Sequence, residues 1–314
     1  MEMRNVGASG LKVSTLGIGC NNFGVRLDAG QSAAVVHAAL DHGVTLFDTA
    51  DVYPMGEGGT SEDFLGKALG NRRGDAIVAT KFGMKMDPEG TRRGGSRRYI
   101  IKAVEDSLRR LGTDWIDLLQ FHEPDADTPI DETLRALDDL IRAGKVRYIG
   151  SSNFAGWQVV EAHYLARELG LNRFVVTQEL YSLLSRDIER EVIPACQKYG
   201  MGLLPFFPLA SGILSGKYEL GKGAPEGTRL ATSQSLADMF LSESNLVEAG
   251  KLADVAAGCG KGLIDLAFAW LLRDAVVPSV IAGASTPEQV ARNAEAVAWQ
   301  MSADDIAKVT DALS

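Results

Sequence analysis

The sequence predicts an α/β fold of one kind, a (β/α)8 TIM barrel, and three observations carry that expectation. Short apolar runs and longer helical patterns alternate eight times from Leu16 onward. The apolar runs are not interrupted by alternating polar residues, which suits parallel strands covered on both faces. No linker or shift in composition divides the chain, so residues 1–314 read as a single domain. A doubly wound open sheet would carry G-x-G-x-x-G after its first strand. Here that strand runs into "GIGCNNFG", and the fingerprint is absent.

The elements follow in order. Two short segments around "GASG" form an expected N-terminal β-hairpin at the barrel floor. "TLGIG" is the first barrel strand. It leads to "QSAAVVHAALDHG", with Val36, Ala39 and Leu40 on one face and Gly43 as the stop. "VTLFD" leads to "SEDFLGKALG". "AIVATK" leads to "SRRYIIKAVEDSLRRLG", where Ile100, Val104, Leu108 and Leu111 make a stripe between a Ser96 N-cap and a Gly112 stop. "WIDLLQFH" precedes "TPIDETLRALDDLIRAG", with Pro129 in the first turn and Gly144 at the end. "VRYIGSSN" pairs with "AGWQVVEAHYLARELG", and "FVVTQ" with "RDIEREVIPACQKYG". After "MGLLPFFP" comes a long loop over 212–242, then helical patterns at 243–257 and 262–273. "SVIAG" leads to "PEQVARNAEAV", and "SADDIAKVTDAL" closes the chain as an extra C-terminal helix.

Composition narrows the function. A net charge of -9 and a pI near 5.1 argue against nucleic acid as a partner, and "RRGGSRR" at 92–98 reads as a solvated loop. Cys20, Cys196 and Cys259 are scattered and odd in number, as free thiols in a reducing compartment would be. No metal site is expected: there is no C-x-x-C or H-E-x-x-H, and His37 and His42 are five apart, off the helical spacing. The N-terminus lacks an apolar signal core, and no run reaches the ~18 apolar residues of a membrane helix. A cytoplasmic protein without a membrane partner is expected.

A barrel places function at the C-terminal ends of its strands. The second strand ends at Asp48, the third at Lys81, the fourth at His122, the fifth in Ser152 and Asn153, and the sixth at Gln178. Tyr53 follows the second strand in a Pro/Gly-rich loop. Tyr53 has a normal pKa of ~10, and an ammonium beside it is expected to lower that value. Lys81 supplies the ammonium, Asp48 keeps it charged, and His122 donates a hydrogen bond to a substrate oxygen. The set fits adding a proton to oxygen while a hydride reaches carbon. No side chain supplies hydride, so a cofactor must. Ser152, Asn153 and Gln178 suit a carboxamide, and Phe206 and Phe207 suit stacking. The small residues after them, with Lys217, suit close approach to phosphates; Arg229 follows in the long loop, and the small residues opening the last segment suit another phosphate.

These residues resemble the aldo-keto reductase family over nearly the whole chain. The resemblance is carried by "LFDTADVY", "ATK", "DLLQFHEPD", "GKVRYIGSSNF", "QELYSLLSR", "FFPLASGILSGKY" and "IAGASTPEQVARNAEA". It is nearest to bacterial members and to the potassium-channel β-subunit-like branch. It implies an NADP(H)-linked enzyme interconverting an aldehyde or ketone and an alcohol, with NAD(H) as the alternative cofactor. Tyr53 would be the proton donor, Asp48 and Lys81 would tune it, and His122 would orient the carbonyl. Phe206 would stack on nicotinamide, and Ser152, Asn153 and Gln178 would hold its carboxamide. Cys20, Asn21, Asp48, Phe207, Pro208, Leu209, Ala210, Ser211 and Gly212 would add cofactor contacts. Lys217 and Arg229 would meet phosphates, and Gly283, Ala284, Ser285, Gln289 and Asn293 the adenosine-phosphate end.

Three positions depart from the pattern. Ala282 and Arg292 stand where the family usually has Pro and Glu, and Gln289 stands where many members carry an Arg for the 2′-phosphate. The alternative function is a cofactor-holding regulatory subunit with little turnover. His122 discriminates, since channel-type relatives read Asn there. Substrate choice is expected in loops 21–30, 54–60, 84–96, 123–128 and 212–242, with "PMGEGG" as the substrate-side rim.

Overall fold

The computed structural model describes residues 1–55 and 58–313. Eight parallel strands close into a barrel: β3 (Leu16–Gly19), β4 (Leu46–Asp48), β5 (Ile77–Phe82), β6 (Ile116–Phe121), β7 (Val146–Ser152), β8 (Val176–Leu180), β9 (Gly202–Phe206) and β10 (Val280–Ala282), which pairs back onto β3. The N-terminal strands β1 (Met3–Asn5) and β2 (Lys12–Ser14) form a separate antiparallel pair. Val6, Leu11 and Val13 of this hairpin pack against Leu46, Ala79, Leu118, Val176, Leu204 and Ile281, the inward residues of the strands. The hairpin therefore plugs the floor, as the sequence led one to expect.

Helices α1 (Ala29–Asp41), α2 (Thr60–Leu69), α3 (Arg97–Leu111), α4 (Ile130–Arg142), α5 (Gly156–Glu168) and α6 (Val192–Tyr199) each follow a strand. Their apolar faces cover the outward residues of the barrel, such as Phe47, Val78, Leu119 and Ile149, in one continuous core. Ser96 caps α3 by accepting from the Tyr99 N–H, and Gly112 ends it at φ 62°. Some boundaries differ from expectation. Pro129 occupies the N-cap of α4 rather than its first turn. The helix expected over 186–200 begins only at Val192, after a 3-10 turn at Asp187–Glu189. Pro194 explains this, because its ring and missing N–H are tolerated only in a first turn.

The segment over 212–242 carries short helical pieces toward both of its ends. A 3-10 turn at Ala210–Ser215, α7 (Arg229–Thr232) and α8 (Gln234–Phe240) lie in or beside it, and Leu230 and Phe240 anchor it in the core. Then come α9 (Glu243–Gly258), α10 (Leu263–Leu272), α11 (Pro287–Ala296) and α12 (Ala303–Ala312). Among the described residues no single helix is long and apolar enough to cross a membrane; α9 and α10 reach that length only together, bent by 90°.

The barrel interior is tight enough to demand glycine at position 150. A Cβ there would stand 2.6 Å from Val176 Cγ1, 2.9 Å from the Val176 carbonyl oxygen and 3.3 Å from Gln120 Cγ. The carbonyl belongs to a paired strand and cannot give way. Gly150→Ala is expected to destabilise the fold by about 1–3 kcal/mol, read as a lower midpoint in chemical denaturation with an unchanged slope.

Candidate active site

Side chains along a strand alternate between faces. Since Leu46, Ala79, Leu118 and Val176 face inward at the floor, Asp48, Lys81, Gln120 and Gln178 face inward one layer higher. The register sets Asp48 beside Gly19, Lys81 beside Gln120, and Ser152 beside Gln178. This brings together residues from six strands that are spread along the chain.

Lys81 Nζ donates to Asp48 Oδ2 at 2.6 Å and to the Thr49 carbonyl at 2.9 Å. Asp48 Oδ1 accepts from Gln178 Nε2 at 2.8 Å and from Gln120 Nε2 at 3.2 Å. Both charged side chains are almost wholly buried, at 0% and 5% exposure. A buried ion pair survives only when its remaining donors and acceptors are met, and the two glutamines do this for Asp48. Burial alone would lower the Lys81 pKa, but Asp48 and Tyr53 outweigh it and leave it raised, so the ammonium persists.

Tyr53 lies over this pair, its ring centroid 5.4 Å from Lys81 Nζ. Its ring meets that of His122 edge-on, with centroids 5.8 Å apart. The expected lowering of the Tyr53 pKa is not found. Loss of water raises it above 10, and Lys81 offsets only part of that rise. Burial is the largest cause, and the Asp48 charge adds to it. Tyr53 is therefore held as a neutral O–H. Burial, and then Lys81, push His122 well below its ordinary value, so its ring is neutral as well. Its Nδ1 has no partner among the described residues, and Asn153 Nδ2 donates to its carbonyl at 2.9 Å.

A cavity of about 760 Å³ opens from this mouth. Cys20, Asn21, Asp48, Tyr53, His122, Ser152, Asn153 and Gln178 line it. Phe206, Phe207, Pro208, Leu209, Ser211 and Gly212 form one wall, continued by Lys217 and Arg229. Gly283, Ser285, Gln289 and Asn293 form another. Ala210 and Ala284 do not line it; they are buried in the core behind these walls, so their side chains offer a ligand no surface. Lys81 likewise sits beneath the cavity rather than on it. Gln178 has its amide nitrogen committed to Asp48, and Gln289 Oε1 accepts from the Ser285 N–H at 2.8 Å.

Several residues of the site were not singled out by sequence reasoning, although all but Gln120, which lies beneath the cavity, fall in the loops expected to choose the substrate. Gln120 lies two residues before His122, and strand alternation signals its inward position. Arg26 reaches from the β3–α1 loop to donate to the Gly227 carbonyl across the cavity. Asn22, Met55 and Met84 also line it. The rim stretch "PMGEGG" includes Gly56 and Glu57, which lie outside the described residues. Arg26, Lys217, Arg229 and Arg292 all line the cavity, and none pairs with a carboxylate among the described residues. Burial first, then Arg26, Arg292 and Arg229, hold the Lys217 pKa below its usual value. This collection of cations fits an anion with several charges.

Backbone strain concentrates at the same place. The positive-φ non-glycine residues are Asn153, Phe207, Ala210 and Ser211, at 59°, 52°, 46° and 54°. Each lies on or directly behind the cavity wall, where strain must be sustained by surrounding contacts. The burial of Lys81 with Asp48 is itself testable. Lys81→Met strands a buried carboxylate and is expected to cost about 3–5 kcal/mol of stability. The double variant with Asp48→Asn should recover part of that loss in chemical denaturation.

The aldo/keto reductase family model matches residues 15–314. A protein of Arabidopsis thaliana described as a probable voltage-gated potassium channel subunit beta is 38% identical over 304 residues, covering 95% of this chain and 91% of the relative. The uncharacterized oxidoreductase YrpG of Bacillus subtilis (strain 168) is 39% identical over 305 residues, with the same coverage of 95% and 91%. A putative voltage-gated potassium channel subunit beta of Schizosaccharomyces pombe is 36% identical over 311 residues, 95% of this chain and 88% of the relative. Matched across nearly its whole length, the chain belongs to the aldo/keto reductase family, oxidoreductases that generally depend on NADP(H).

Proposed function

We propose that this chain interconverts an aldehyde or ketone and an alcohol with NADP(H), Tyr53 acting as the proton donor in reduction. The observation that carries the reading is the meeting of Tyr53 and His122 over the Lys81–Asp48 pair at the mouth of one cavity. The nicotinamide supplies the hydride when bound. The rest is what the chain's own residues do. Neutral His122 donates a hydrogen bond to the carbonyl oxygen and orients it. Tyr53 holds its proton through neutral pH and releases it as negative charge grows on that oxygen. The nearby Lys81 ammonium then stabilises the phenolate left behind.

The cavity fits the dinucleotide. Phe206 offers an aromatic face, and Ser152, Asn153 and the Gln178 oxygen offer polar partners for the carboxamide. Lys217, Arg229 and Arg292 offer cations, without carboxylate partners among the described residues, for phosphates. Arg292 replaces the charge that Gln289 lacks, which favours the 2′-phosphate of NADP(H) over NAD(H).

A second reading, a dinucleotide-holding subunit with little turnover, draws support from the relatives described as channel β subunits. The complete set Asp48, Tyr53, Lys81 and His122 favours the enzyme. A 340 nm assay against a panel of carbonyls and alcohols separates them; dinucleotide binding with no turnover on any member would sink the enzyme reading. Tyr53→Phe should bind NADPH normally and lose turnover by roughly three or more powers of ten, and turnover near wild type would remove the proton-donor role. Arg292→Ala should weaken NADPH about tenfold or more, the loss of one charge-assisted hydrogen bond, and leave NADH nearly unchanged. Equal losses for the two cofactors would refute the 2′-phosphate contact.

A further inference from the structure

The β7–α5 turn presents Ser152 and Asn153 to the cavity in a conformation that costs energy. Asn153 has φ 59°, in the left-handed region that a non-glycine residue holds where its surroundings impose it. The imposing contacts come from β8. The Asn153 N–H donates to the Gln178 carbonyl at 3.1 Å. The next amide, of Phe154, donates to Glu179 Oε1 at 3.1 Å. Glu179 also draws on the Asn153 N–H. Thr177 Oγ1 donates to the same Glu179 oxygen at 2.6 Å and accepts from Ser151 Oγ at 3.0 Å.

Glu179 sits on the outer face of β8, the opposite side from Gln178. It is 5% exposed and forms no ion pair among the described residues. An unpaired carboxyl in such a place is costly, and an aliphatic side chain would cover the strand without that cost. What Glu179 gains is a grip on two consecutive backbone amides. The turn so held places Asn153 Nδ2 on the His122 carbonyl at 2.9 Å and on Ser152 Oγ at 3.1 Å. The grip therefore reaches three residues of the site, although Glu179 itself does not line the cavity.

We propose that Glu179 is a positioning residue of the dinucleotide site: from outside the barrel wall its carboxyl group holds the turn at 153–154, and through it the Ser152 and Asn153 groups that meet the nicotinamide carboxamide. This rests on the carboxamide reading given above. It also has a pH signature. Burial pushes the Glu179 carboxyl up to about 7, against the pull of Thr177 and the two amides. The titratable group packed beside it is the Cys196 thiol of α6, itself pushed up to about 12 by burial and then Glu179, and so neutral throughout. The ionised carboxylate accepts amide hydrogen bonds more strongly than the acid. A dinucleotide that binds the ordered turn favours ionisation, so by linkage affinity rises as pH rises through about 7.

The test measures NADPH affinity by tryptophan fluorescence and amide hydrogen exchange for the wild type, Glu179→Ala and Glu179→Gln, from about pH 6 to about pH 8.5. Glu179→Ala should weaken binding about tenfold and speed exchange at 153–154 while the barrel strands stay protected. Glu179→Gln keeps the acceptor oxygen; it should bind within about threefold of the wild type at the acidic end and lack the wild type's gain toward alkaline pH. Wild-type affinity in Glu179→Ala, or an intact pH step in Glu179→Gln, overturns the inference while leaving the proposed function standing. A wild type that binds no dinucleotide overturns both. If Glu179→Ala fails to fold, the pH step in Glu179→Gln decides alone.

Discussion

A lysine and an aspartate facing each other inside a barrel are the constraint around which the upper half of this molecule is built. Two charges out of water cost several kcal/mol each, and their attraction returns that only if every other lone pair and proton is met. Asp48 takes donors from three side chains on three different strands, and Lys81 adds a backbone carbonyl to its carboxylate partner. Gln120 and Gln178 are thus inside for an electrostatic reason. Glycine at 150 follows in turn, since Gln120 and Val176 occupy the space that a side chain there would need. Packing, strand register and charge are one problem in this layer.

The same dry environment assigns protonation states to Lys81 and to the two groups above the pair. It raises the phenol of Tyr53, lowers the imidazole of His122, and would discharge Lys81 were Asp48 not beside it. The result is one cation under two neutral hydrogen-bond donors, a polarity suited to an oxygen that acquires negative charge. Cys20, on the same wall, has its thiol pushed well up by burial and then Asp48, so it is no competing nucleophile. Farther out the sign of the surface turns positive, with four cations that pair with no carboxylate among the described residues, in a chain whose net charge is -9. Local concentration of one charge sign against the global balance is what draws a polyanion to one place.

Much of this was legible in the sequence because a barrel converts strand order into position. Once the eight apolar runs are aligned, Asp48, Lys81, His122, Ser152 and Gln178 must share a mouth, whatever the loops do. What stayed hidden depends on distances that periodicity does not encode. The sign of the Tyr53 shift is a contest between burial and Lys81, and burial wins with the Asp48 charge on its side. Arg26 joins the cavity only because its loop crosses to Gly227. The 212–242 segment reads as irregular because its helices are short, with too few turns for a hydrophobic period to show. Ala210 and Ala284 share a motif with true lining residues, and only the direction of a Cβ separates them.

The hairpin at the floor has a consequence for traffic. With Val6, Leu11 and Val13 wedged among the lowest inward side chains, the barrel is a blind well and not a tunnel. The floor is closed among the described residues, so water and any ligand of the cavity share one doorway. Whatever lies deepest has to arrive first and leave last. The sequence of events at the mouth is thus written, in part, by fourteen residues at the opposite end of the molecule.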